Sequence, residues 1–111
     1  MAKHVLLVLS NPTEGKEDEY NDWYDNTHLG EVLQIPGFTA AQRFEVNGPP
    51  VTGEATHKYM ALYDLDTDNP QDSLVELGAR VQDGQVEMSD AIDGKTIVSS
   101  LFTPRGKPMK E

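Results

Sequence analysis

The 111 residues, 37% apolar and 25% charged, suffice for one domain with a modest core and not for two. A formal net charge of −10 repels phosphate backbones and anionic lipids, which sets nucleic-acid and peripheral membrane roles aside. The lack of any cysteine excludes disulfides, zinc–thiolate and iron–sulfur sites, and thiol nucleophiles.

The chain opens with Met1-Ala2-Lys3-His4 and then an apolar run over 5–9, too short for a signal-peptide core and without its cleavage site. No stretch reaches the ~18 apolar residues of a membrane span, so the expected location is the cytoplasm. The run itself, closed by Asn11-Pro12-Thr13-Glu14-Gly15, predicts a first strand buried on both faces. A helical pattern follows over 17–34. Glu17, Asp18 and Glu19 sit where the positive end of the helix dipole favours them, and Pro36-Gly37 stops the helix.

Residues 38–46 alternate as a second strand, with Phe38, Ala40, Gln42, Phe44 and Val46 on one face and Thr39, Ala41, Arg43 and Glu45 on the other. A Gly- and Pro-rich connection leads to a third alternating stretch over 56–65, where His57, Tyr59, Ala61 and Tyr63 share a face. Asn69-Pro70 predicts an N-cap and first helical residue. That second helix carries Leu74, Leu77 and Val81 inward to about residue 81. One helical turn is expected over 87–92, a fourth strand over 95–103, and a loose polar tail from about 104.

The order β-α-β-β-α-β predicts an α+β, ferredoxin-like domain over 1–111, with a four-stranded antiparallel sheet and two helices on one face. The other sheet face has no cover, yet the strands carry apolar residues on both sides. A solvated face should read polar. An exposed apolar face of that size marks a protein contact, so a homodimer through the open sheet face is expected.

Chemistry concentrates in the first helix. At about 100° per residue, Tyr20, Tyr24, Thr27, His28, Glu31 and Ile35 share one stripe, flanked by Asn21 and Trp23. Aromatic walls with a few polar groups are the usual lining of a small-molecule pocket. His28 titrates near neutrality, and Glu31, a turn away, is placed to orient it. The same pattern also fits a structural histidine bonded to backbone with Glu31 in solvent. His4 and His57, at strand starts, are pocket candidates or exposed edge residues. Arg43 is a candidate anion partner or the mate of an acidic side chain. Tyr59 and Tyr63 are strand aromatics able to present a hydroxyl. The three histidines show no tight ligand spacing, so no metal is expected. Neither a Gly-rich phosphate loop nor a nucleophile elbow is present.

The stretch Asn21-x-Trp23-Tyr24-x-x-x-His28-Leu29, followed by Ile35-Pro36-Gly37-Phe38 and Ala41-x-Arg43-Phe44, resembles the dimeric α+β barrel superfamily, nearest its EthD-like branch. The motif covers about residues 20 to 44, while the element order agrees over nearly the whole chain. Gly30 stands where the EthD-like pattern often has Pro. The resemblance implies a pocket between the sheet and the first helix for a small hydrophobic or aromatic ligand, with no organic cofactor. It implies His28 as acid or base, with Tyr24 and Trp23 as hydroxyl donor or wall. The opening Lys3-His4-Val5-Leu6-Leu7-Val8-Leu9 is similar to that of a plant polyketide cyclase of the superfamily with a functional His there. The expected function is proton transfer on an aromatic or polyketide-like substrate, as in an isomerase, cyclase or lyase. The alternatives are a cofactor-less monooxygenase and a non-catalytic binding or accessory protein.

Overall fold

A computed structural model describes residues 2–111. Its elements are β1 (Lys3–Ser10), α1 (Glu17–Trp23), a π-helical turn (Tyr24–His28), α2 (Leu29–Val32), β2 (Phe38–Glu45), β3 (Tyr59–Asp66), α3 (Pro70–Asp83) and β4 (Val98–Phe102). The sheet order is β2-β3-β1-β4, with every neighbouring pair antiparallel. This is the ferredoxin-like arrangement. Among the described residues no helix is long and apolar enough to cross a membrane.

Register fixes the two sheet faces, because residues directly opposite in a ladder point the same way. On the helix side, His4, Leu6, Val8 and Ser10 of β1 lie opposite Leu65, Tyr63, Ala61 and Tyr59 of β3. These meet Tyr20, Trp23, Tyr24, Val32 and Ile35 from the helical layer in the core. On the other side Val5, Leu7 and Leu9 lie opposite Asp64, Leu62 and Met60, and also opposite Phe102, Ser100 and Val98 of β4. Among the described residues no element covers that mainly apolar face.

The alternation expected in β2 holds only in part. A register shift between Phe38 and Ala40 inserts Thr39 as a bulge. Side chains alternate with period two, so one extra residue reverses the phase beyond it. Phe38 therefore points to the helices together with Ala41 and Arg43, while Ala40, Gln42 and Phe44 face away.

Other boundaries move for local reasons. The first helical segment ends at Val32, two residues early, and Gly37 at φ 101° turns the chain into β2. β3 starts at Tyr59, which leaves His57 in the preceding loop. α3 runs on to Asp83, where left-handed Gly84 closes it. Asn69 occupies the N-cap position but makes no side-chain capping bond. Leu74 and Leu77 are partly buried as expected, whereas Val81 is exposed. Residues 87–92 form no helical turn. Thr13 N–H donates to Ala91 O and the Thr13 hydroxyl to Asp90 O, and Pro12 bridges Ile92. These bonds dock the segment, which makes one non-helical turn closed by Ile92 N–H to Ser89 O at 3.4 Å, with Val86 and Ala91 buried as a lid over the helical layer. β4 is shorter than expected, and the tail from 104 is exposed.

Candidate functional site

The first helical segment begins with three carboxylates in its first turn and no side-chain cap, so the dipole interaction substitutes for capping there. Tyr20, Trp23 and Tyr24 are buried, each within a turn of the next. The helix then widens into the π turn over Tyr24–His28. A π turn accommodates one extra residue, which displaces everything after it from the 3.6-residue stripe. His28 stays inward, but the next inward residue is Val32, not Glu31. Glu31 faces sideways, and its Oε1 accepts the Glu87 backbone N–H at 2.8 Å. The expectation that Glu31 orients His28 is therefore corrected: Glu31 anchors the 87–92 lid. Thr27 is only half-buried.

The His28 imidazole is stacked on Trp23, with centroids 4.5 Å apart and planes 28° apart, and meets Tyr24 edge-on at 5.2 Å. Its Nδ1 is buried with no hydrogen-bond partner. Burial pushes its pKa down to about 4, so the ring is neutral at pH 7. Trp23 is fixed in turn by its Nε1–H, which donates to Glu87 O at 3.0 Å. The Tyr63 hydroxyl is also buried without a partner; burial raises the Tyr24 pKa and holds Tyr63 well above the usual phenol range. Buried polar atoms without partners are rare in folded proteins and ask for a reason.

On the β2 side of Tyr24 lies Arg43. Its guanidinium carbon sits 4.5 Å from the Tyr24 ring centroid, 5.2 Å from Tyr20 and 5.1 Å from Tyr59. One terminal nitrogen donates to Asp25 Oδ1 and the other to Asn21 Oδ1, each at 2.8 Å, while buried Nε has no partner. Burial alone would lower the Arg43 pKa, but the Asp25 hydrogen bond and charge more than offset it, and the guanidinium stays charged. Asn21 donates to the Tyr59 hydroxyl at 3.2 Å, and that hydroxyl donates to Glu17 Oε2 at 2.5 Å. Lys58 pairs with the same carboxylate, and these bonds lower the Glu17 pKa. Asn21, Asp25, Arg43, Phe44, Glu45 and Tyr59 line a solvent-open cleft of about 420 Å³.

The structure therefore gathers Asn21, Arg43 and Tyr59 at one cleft, with Tyr20 and Tyr24 buried against the Arg43 guanidinium, and packs Trp23, Tyr24 and His28 together. His4 and His57 belong elsewhere. His4 Nε2 donates to Thr67 O at 3.0 Å, and its Nδ1 accepts from the Thr103 hydroxyl at 2.9 Å. His57 Nε2 donates to Thr96 O at 2.6 Å, with Nδ1 at 2.8 Å from the Thr56 hydroxyl. Both rings have their nitrogens engaged and act as ties between loops and strands. Among the described residues no group of His, Asp or Glu converges as metal ligands would. Sequence reasoning passed over Asp25, Glu17 and Ser10. Ser10 carried a usable signal, being a polar residue in the buried phase of β1, and it bonds the Tyr20 hydroxyl at 2.6 Å. Asp25 and Glu17 meet their partners only through tertiary pairing and carried none.

No protein-family model matches the chain, and no curated protein does. Solved structures do. An EthD-family protein from Bacillus halodurans superposes with a TM-score of 0.61 at 20% identity, over 98% of this chain and 100% of that one. A cofactor-independent oxygenase from Streptomyces nogalater gives 0.61 at 14% identity, over 96% and 97%. A heme-degrading protein from Mycobacterium tuberculosis, solved with two hemes in its active site, gives 0.62 at 16%, over 96% and 99%. At these identities the shared property is the fold.

Proposed function

We propose that this chain transforms a small aromatic or polyketide-like molecule by proton transfer at His28, without an organic cofactor. The observation that carries the reading is the buried, unpartnered Nδ1 of a neutral imidazole held between Trp23 and Tyr24. A ring kept only for packing would cost less as Phe, since burying an unpaired polar atom is unfavourable. A neutral imidazole can take a proton from a substrate carbon or hydroxyl. The imidazolium so formed then sits beside the new enolate or phenolate, and that counter-charge offsets the cost of burying it. Tyr24 or Tyr63, kept protonated by burial, donates a hydrogen bond to the developing oxyanion. Glu31 has no part in this reading.

Direct reaction of such a substrate anion with oxygen is the second reading, and the cofactor-independent oxygenase of the same fold favours it. Both readings begin with the same deprotonation. The unit that works is a homodimer paired through the open sheet face. The test is His28→Gln, with the fold verified by circular dichroism. On a confirmed substrate, turnover should fall by about 10²–10⁴-fold, the usual contribution of a general acid–base group. Unchanged turnover refutes the role of His28. Oxygen uptake during turnover separates the second reading from the first, because an isomerase, cyclase or lyase consumes none.

A further inference from the structure

We propose that Arg43 selects the substrate, and that the molecules this cleft takes are aromatic acids whose carboxylate docks on the guanidinium. The proposal rests on the reading of this region as a small-molecule site and adds its charge class.

Three features carry it. First, Arg43 is held in a pose suited to recognition: its side chain is only 11% exposed, and three tyrosine rings and the Asn21 carbonyl fix the plane of the guanidinium. A fixed guanidinium plane is what paired recognition of a carboxylate requires. Second, the partner on its outer nitrogen is already a carboxylate. Asp25 is 56% exposed and lines the cleft, so water competes for its half of the pair and another carboxylate can exchange with it. Asp25 thus occupies the place that a substrate carboxylate would take. Third, the cleft pairs this cation with the Tyr59 ring in a volume typical of small ligands. With a net charge of −10 the whole molecule repels anions, so an anionic ligand needs a local cation of this kind.

Titration of 1-naphthoate and its neutral amide, 1-naphthamide, into the full chain tests the proposal. The wild type should bind naphthoate more tightly than naphthamide at pH 7. Arg43→Gln should weaken naphthoate by about tenfold or more, the scale of a charged hydrogen bond, and leave naphthamide unchanged. Because Arg43 is packed against three rings, a second variant is needed in case that one does not fold. Asp25→Asn, at the surface, removes the competing carboxylate and should tighten naphthoate several-fold without moving naphthamide. Equal binding of the two compounds by wild type, absence of naphthoate binding, or an Asp25→Asn variant that leaves naphthoate affinity unchanged overturns the role of Arg43. None of these outcomes touches the His28 reading, which stands or falls on turnover by the His28→Gln variant.

Discussion

Burial of an imidazole couples His28 to pH. In the unfolded chain it titrates near 6.5, and in the folded protein near 4. Between those values the unfolded state binds a proton that the folded state refuses. Stability from this residue is fully present above about pH 6.5 and drains away as pH falls toward 4, by about 3 kcal/mol across the window. His28→Phe keeps the stack on Trp23 but cannot titrate. Urea unfolding at pH 7.5 and pH 4.5 should therefore show a drop in stability that is smaller in the variant than in wild type by about 2–3 kcal/mol. Carboxylates such as Glu17 lose stabilisation in the same direction, but they contribute equally to both proteins and cancel in the difference. Equal drops would mean that the ring is solvated or paired in the folded state.

Single extra residues decide what each element presents. The periodicity of the first helix and the alternation in β1 and β3 are plain in the amino-acid order, and they place Tyr20, Tyr24, His28, Tyr59 and Tyr63 inward as observed. The π turn and the β2 bulge are not, because each inserts one residue without a composition signal. The π turn takes Glu31 off the stripe, and the bulge brings Arg43 onto the helix side. The Arg43–Asp25 pair depends on both elements and so was legible only as an arginine in need of an acid. Gly37, by contrast, signals only a helix stop in the sequence, yet the structure makes it a contact. A Cβ there would lie 2.3 Å from Ser73 Oγ, at a φ of 101° that side chains rarely tolerate. Ser73 cannot simply turn away, since its hydroxyl donates to Pro36 O at 2.8 Å and ties α3 to the start of β2. Gly37→Ala should cost about 2–4 kcal/mol, the sum of backbone strain and overpacking. Adding Ser73→Ala should return part of that loss, and thermal melts of the two single variants and the double variant would show it. Strict additivity would refute the contact.

The whole molecule shows apolar residues on both sides of one sheet and helices on only one. Val5, Leu7 and Leu9 of β1, Met60 and Leu62 of β3, and Val98 and Phe102 of β4 form the uncovered side. Phe102 remains 56% exposed and Val98 48%. Pairing two such faces about a twofold axis would bury each against its own copy. Charge opposes that pairing, because each chain carries −10. Association should therefore tighten as salt rises from about 20 mM to 300 mM, since screening weakens the repulsion and leaves the apolar contact intact. Phe102→Glu would place two further negative charges across such an interface. It lies on an edge strand and already faces outward, so the monomer fold should survive. Sedimentation should give twice the 12.3 kDa chain mass for wild type and a single chain for the variant, with unchanged circular dichroism. A variant that keeps the doubled mass would move the interface off the sheet. A wild type that sediments as one chain would leave this apolar face to a different partner.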